Sequence, residues 1–191
     1  AGDQVRAAQA ARLLLARSAG VDRAQQRIGW TIVGQVGFNH GDFPGAETAF
    51  THALALAPAN DPERGDITER LAAAIYQQGD ARRKAGDQAG AAEDFLRVTR
   101  AAPASKIAQT AQYDAAAALI EAQQWPRAIQ VLQDYRRAYP HGRYSAGVNA
   151  KLAVAYAATG QAGAAAAEFE RIAADASEDR ATVHDALTQA A

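Results

Sequence analysis

The 191-residue chain has no cysteine and no methionine. Without cysteine it forms no disulfide and offers no thiolate to a metal. The same absence fits a bacterial envelope protein and a cytoplasmic one nearly equally. Aromatic residues make up only 7% of the chain. Few windows are rich in Val, Ile or Thr, so strands have little to form from. No apolar run approaches the ~20 residues that span a bilayer. Leu13-Leu14-Leu15 is short and is flanked by Arg12 and Arg17. No targeting signal is recognisable. Charge of one sign is missing as well: 20 basic residues against 21 acidic ones leave a net charge of −1. The signs are interspersed, so no basic face awaits a phosphate backbone, and nucleic acid is not an expected partner.

What the chain has in quantity is alanine. It supplies much of the 49% hydrophobic content, forms helices best and lets them pack closely. The expectation is an all-α fold with thin side-chain layers. A small set of large residues then carries the core: Leu13, Leu14, Trp30, Phe50, Leu71, Phe95, Leu119, Trp125, Leu132, Leu152, Tyr156 and Phe169.

The stretch from Trp30 to Pro58 organises the rest. It reads Trp30-x-x-Val33-Gly34, then Ala46-x-x-x-Phe50-x-x-Ala53, then Pro58. Gly34 lacks a Cβ and lets two backbones approach. Ala46 lets a second helix press on the first, Phe50 fills the space between neighbours, and Pro58 stops the second helix. Between the helices, Gly41 suits a left-handed end, Asp42 a cap, and Pro44 a first turn. Later copies share the second helix: Gly86-Asp87-x-x-x-Ala91-x-x-x-Phe95, Trp125-Pro126-Arg127-Ala128-x-x-x-Leu132 and Gly160-Gln161-x-x-x-Ala165-x-x-x-Phe169. The marker alanines stand 45, 37 and 37 residues apart. The extra length after the first copy is assigned to the turn-rich loop Ala57–Asp66.

This pattern resembles the tetratricopeptide repeat (TPR), a pair of antiparallel helices about 34 residues long. Val33 stands where the family has Leu, and Gly37 where it has Tyr. The resemblance implies a right-handed α-solenoid of tandem antiparallel helix pairs. The chain is read as one such domain over 1–191, with units at about 27–60, 67–103, 105–140 and 145–177 and flanking helices at 3–18 and 178–190, about ten helices in all. The phrase Tyr139-Pro140-His141-Gly142-Arg143-Tyr144-Ser145, with Leu152-x-x-x-Tyr156-x-x-x-Gly160 after it, is similar to TPR proteins of the bacterial cell envelope. A periplasmic or envelope location is therefore expected, with the cytoplasm as the alternative. The chain opens on Ala1-Gly2-Asp3 and stops at Ala190-Ala191 within a helical pattern. The expectation is a piece of a larger repeat protein or a processed chain.

Local signals place the remaining ends. Asp66, with Glu69 three residues on, reads as a capping box for a long helix. Ser18, Ser105, Ser145 and Ser177 stand where helices start or end, and capping accounts for them. The last helix, after Ser177, either shields the stack end or begins another unit.

No catalytic set emerges. His40, His52, His141 and His184 form no His-x-x-x-His pattern and read as solvated loop residues. Glu93-Asp94 and Glu168/Glu170 read as charged helix faces. Gly34-Gln35-Val36-Gly37 has no following Gly-Lys-Ser/Thr and is no phosphate loop. No enzyme, cofactor or metal site is expected.

The resemblance implies instead that the first helix of each unit lines a concave groove for a peptide or helix. Its positions here are Thr31, Gln35 and Asn39, then Tyr76, Asp80 and Arg83, then Tyr113 and Glu121, then Ala150, Val154 and Ala157. The proposed contacts are Gln35, Asn39, Tyr76, Asp80, Arg83 and Tyr113. Tyr76 and Tyr113 read equally as groove contacts or as packing between units. Family members that clamp a peptide carboxylate use a matched Lys/Asn set, whereas Lys84, Lys106 and Lys151 are scattered. The expected function is a non-catalytic protein-interaction scaffold; the alternative is a structural spacer or oligomerisation segment of a larger envelope protein, with self-association through the stack ends.

Overall fold

The structure, a computed structural model, describes residues 2–16 and 20–174. Among these residues there are nine α-helices and no strand: α1 Gly2–Ala16, α2 Arg23–Asn39, α3 Phe43–Leu56, α4 Arg64–Lys84, α5 Gln88–Ala101, α6 Ala108–Glu121, α7 Trp125–Ala138, α8 Ser145–Ala158 and α9 Ala162–Ala174. The fold is all-α, built of antiparallel helix pairs in series. Ser18, Ser177, His184 and the expected helix at 178–190 lie outside the described residues.

Four hairpins, α2/α3, α4/α5, α6/α7 and α8/α9, are closed by one repeated turn. In the first, the Gly41 N–H donates to Phe38 O (3.0 Å) and the Asp42 N–H to Gly37 O (2.9 Å). Gly86 and Asp87 repeat this with Arg83 and Arg82, Gln123 and Gln124 with Ile120 and Leu119, and Gly160 and Gln161 with Ala157 and Tyr156. These paired bonds, three and five residues back, satisfy helix-end carbonyls as a Schellman motif does. The motif requires a left-handed residue, and Gly41, Gly86 and Gly160 have φ of 79°, 83° and 72°. The third turn places Gln123 there, at φ 56°. A side chain in that region costs about 1 kcal/mol relative to glycine. Gln123→Gly is expected to raise stability by roughly 0.5–1 kcal/mol, measured as a higher thermal midpoint. A lower midpoint would contradict the turn assignment.

The turns also start the second helices. The Asp42 carboxylate accepts from Gly45 N (3.0 Å), and Pro44 occupies the first turn of α3. Asp87 accepts from Gly90 N (2.9 Å) in the same way. This bond, followed by the Arg82 guanidinium, holds the Asp87 carboxyl below its ordinary range. A lowered acid favours the folded state above the ordinary carboxylate range, and that contribution is lost as pH falls through the lowered value. The marker alanines Ala46, Ala91, Ala128 and Ala165 lie one helical turn past each cap and are buried.

The extra length after the first copy lies in α4. That helix has 21 residues, against 14 in α6 and α8. The segment 57–66 does not hold it, because α4 already begins at Arg64. Asp66 therefore lies inside the first turn rather than at the cap. Glu69 is not its capping-box partner; its carboxylate accepts from Ser105 Oγ (2.7 Å) and Lys106 N (3.0 Å). Ser145 is also no cap: it is the first residue of α8, and its hydroxyl donates to Gly142 O (2.7 Å). At α2 a full capping box forms between Asp22 and Gln25, a signal present in the sequence and not used above.

The described residues form two compact units. The first runs to Ala81 and includes Arg97–Ala108; the second comprises Arg82–Leu96 and the chain from Gln109 on. In the first, Phe50, Ile67, Leu71, Ile75 and Val98 are buried among alanines. A Cβ on Gly34 would lie 2.7 Å from Phe50 Cε1, so here the glycine is required for the ring to fit. Arg64 donates to Leu54 O and Ala57 O and closes the end of α3. Glu47 accepts from Gln78 (2.7 Å) and Arg97, which joins α3, α4 and α5 within this unit. Leu13, expected in the core, is 65% exposed; the neighbouring Leu14 and Leu15 are the ones packed over Gly29.

In the second unit, Leu132, Tyr135, Val148, Leu152 and Tyr156 form the core, with Tyr113, Trp125 and Phe169 packed against it. Tyr113 and Tyr144 stack at 4.4 Å between ring centres, and Arg143 lies 4.7 Å above Tyr144. Tyr113 and Tyr139 each meet Tyr135, at 6.3 and 5.0 Å.

Candidate functional site

The proposed contact residues fall into different surroundings. In the first unit, Gln35 and Asn39 lie one turn apart on α2, where the Gln35 amide donates to Asn39 Oδ1 (2.8 Å). Arg70, on α4, donates to Gln35 Oε1. Beneath this polar rim is a notch of about 70 Å³ lined by Gln35, Phe38, Phe50, Arg70 and Ala73. A rigid apolar floor under exposed amide and guanidinium groups can take one small apolar side chain and hydrogen-bond the backbone beside it. Thr31 donates to Arg27 O, so its hydroxyl serves its own helix. Tyr76 and Asp80 are half-buried further along α4 and have partners of their own.

In the second unit, Arg83 is exposed, with its guanidinium 5.6 Å from the centre of the Phe95 ring. Tyr113 lies within the tyrosine cluster, and Lys151 is 5.2 Å from its ring centre. Burial raises the Tyr113 phenol above its ordinary range. Glu121, Ala150, Val154 and Ala157 are exposed.

Two carboxylates read above as surface charges are buried. Asp94 is 4% exposed and pairs with Arg82 Nε (2.9 Å). Glu168, also 4% exposed, accepts from Arg136 Nη1 with both oxygens at 2.9 Å, and Arg171 Nε stands 3.6 Å away. The sequence carried a signal for both: each stands three residues after a marker alanine and just before a buried or half-buried phenylalanine. Glu93 is less buried and pairs with Arg127. His52 is no loop residue; it lies within α3 and stacks on Trp30 at 4.4 Å. His40 follows α2, with Nδ1 2.7 Å from Val36 O. Among the described residues, no group of three or more His, Asp or Glu side chains is placed to hold a metal ion. No helix among them is long and apolar enough to cross a membrane.

Larger cavities include two of similar size. One, of about 350 Å³ in the first unit, has an apolar lining that includes Ala7, Ala11, Leu14, Ile28 and Ile32. The other, of about 360 Å³ in the second unit, is lined by Arg136, Arg171, Ser145, Asn149, Val148 and Pro140 among others.

No family model and no curated protein sequence matches the chain. Among solved structures, it is similar to BtubC (BKLC) from P. vanneervenii, with a TM-score of 0.53 and 17% identity over 99% of this chain and 79% of that one. It also aligns with nearly identical TPR-like repeats of a kinesin light chain from Podosopora anserina, with a TM-score of 0.41 and 16% identity over 89% and 86% of the two chains. Such low identities speak to fold alone, and the second score is too low to add to the first. With four hairpins closed by the same turn, the chain has a TPR-like helical repeat fold.

Proposed function

We propose that the chain is a non-catalytic protein-interaction scaffold that holds a peptide or helix against the first helices of its hairpins. The observation that carries this is the notch between α2 and α4. It combines an apolar floor at Phe38 and Ala73 with a polar rim at Gln35, Asn39 and Arg70. That combination suits an extended partner, which anchors one side chain and offers backbone carbonyls to the rim. Tyr76 and Asp80 belong to the same reading as contacts further along α4 in this unit; Arg83 and Tyr113 are proposed as contacts on the second unit by itself. A random peptide library selected on the folded chain tests it. Arg70→Glu should weaken the selected peptides at least tenfold while the helical spectrum is retained. Peptides indifferent to this charge reversal would overturn the notch as the docking site. A cell-envelope location belongs to this reading, supported by the likeness of the Tyr139-Pro140 connector to envelope TPR proteins, and recovery of the native protein from the cytosolic fraction would overturn it.

A second reading, oligomerisation, is favoured by the apolar cavity between α1 and α2. Ile28 on its wall is 48% exposed, and Leu13 nearby in sequence is 65% exposed. An open apolar face of this kind gains by burial against another chain. Sedimentation of the chain should show an oligomer that Ile28→Glu converts to monomer. A monomer at every concentration before substitution would sink this reading.

A further inference from the structure

The cavity of about 360 Å³ in the second unit has a charge arrangement that the scaffold reading does not use. Arg136, from α7, and Arg171, from α9, both line it. Their shared counter-ion, Glu168, is not part of the lining. Its side chain is 6% exposed, whereas those of Arg136 and Arg171 are 36% and 60% exposed. Glu168 therefore grips the guanidinium groups from behind. Its two oxygens accept from a single nitrogen of Arg136 at 2.9 Å. Each guanidinium carries five N–H donors in a rigid fork, so two forks on one carboxylate leave donors to spare. Among the described residues, two positive charges against one negative charge leave the wall one unit positive.

The remaining lining narrows the ligand. Asn149 from α8 adds an amide donor, the Ser145 hydroxyl being committed to Gly142 O, while Pro140 and Ala174 supply apolar surface. A single negative charge balances the wall, whereas a dianion would leave one charge unmatched. A planar carboxylate matches the guanidinium fork with two parallel hydrogen bonds. The volume lies at the lower end of small-molecule sites, enough for a few carbons behind the charged group.

We propose that this cavity binds a carboxylate monoanion on a short aliphatic stem, held by Arg136 and Arg171 with the stem against Pro140 and Ala174. The buried Glu168 is a positioning residue that fixes both guanidiniums before the ligand arrives. The group arrives either as a free organic acid or as an acidic side chain of a bound protein.

Titration of the full chain with 4-methylpentanoate at low ionic strength, followed by calorimetry or amide chemical shifts, tests the site. Binding is expected for the acid and not for 4-methylpentanamide, with at least tenfold discrimination. Arg171→Gln should weaken the acid at least fivefold, and Arg171→Lys should restore part of the loss. Arg171 is exposed, so these variants leave the fold intact, which a melting curve checks; Arg136 is avoided because its loss strands buried Glu168. N-acetylglutamate N-methylamide presents the same group as a protein side chain. Tighter binding of that probe identifies a protein source, tighter binding of 4-methylpentanoate a free acid, and either order upholds the site. Arg70→Glu leaves the titration unchanged, so failure here is separable from failure of the scaffold reading. No binding, equal binding of acid and amide, indifference to Arg171→Gln, or equally tight binding of inorganic phosphate would each overturn the proposal.

Discussion

Phe50→Ala lowers the free energy of unfolding by about 3–5 kcal/mol, the range for deleting a fully buried aromatic ring. Phe50 is 0% exposed and lies against the backbone of α2 at Gly34. The converse substitution is also costly. A Cβ at position 34 would stand 2.7, 2.8 and 3.0 Å from three ring carbons. The ring is rigid and enclosed, so Gly34→Ala forces α2 and α3 apart at a cost of about 1–3 kcal/mol. Because both substitutions act on one contact, their effects are not additive. Gly34→Ala combined with Phe50→Leu should be less destabilised than the sum of the two single changes, since the smaller side chain admits the methyl group. Urea denaturation of the four proteins measures this. Strict additivity, or a neutral Gly34→Ala, would contradict the close approach.

Tyr135 gives the second large effect, with a sign that depends on the substitution. The residue is 0% exposed, and its ring meets Tyr113, Tyr139 and Tyr144. Tyr135→Ala should cost about 3–5 kcal/mol. The hydroxyl is another matter. Among the described residues no group meets hydrogen-bond geometry with it, although the Tyr144 backbone and the Gln109 amide lie near enough to favour its phenolate. Burial is the stronger influence and raises the phenol above its ordinary value of 10.0. A buried, unsatisfied hydroxyl is a cost that phenylalanine removes, so Tyr135→Phe should be neutral or stabilising by up to about 1 kcal/mol. The raised phenol also fixes an alkaline trend. Stability is intact below the ordinary phenol value and falls as pH rises through it toward the raised folded value. Tyr135→Phe should therefore melt later than the parent above pH 10. A loss as large as that of Tyr135→Ala would show that the hydroxyl has a partner after all.

The helices were legible because each ends on a strong local signal. Gly41-Asp42, Gly86-Asp87 and Gly160-Gln161 mark three of the four turns, and α5 and α9 begin directly after two of them. The extra length of α4 was not legible. Asp61, Pro62 and Gly65 look like loop residues, yet Gly65 falls in the first turn of the helix, where neither packing nor the repeat excludes it. Leu13 was misplaced because Leu13-Leu14-Leu15 offers three apolar residues where only one side of the helix meets α2; Gly29 selects Leu14 and Leu15.

Of the candidate contacts, Gln35 and Asn39 were placed side by side by the register of the first helices, and their neighbour Arg70 was not named. Arg70 comes from the next hairpin, and the link between the two depends on a distance in space that sequence spacing does not encode. Asp94 and Glu168 were misread for a related reason. A charge in an alanine-rich helix looks solvated until the arginine from a neighbouring element is placed over it. For Asp94 that is Arg82, and for Glu168 it is Arg136.

On the scaffold reading a partner docks over the notch at Phe38 and Ala73. Amide and side-chain chemical shifts of the isotope-labelled chain, titrated with a selected peptide, test it most directly. The largest changes should cluster at Gln35, Phe38, Asn39, Arg70 and Ala73. Changes confined to the exposed side of α3, at Thr48 and Thr51, with those five residues unmoved, would contradict it.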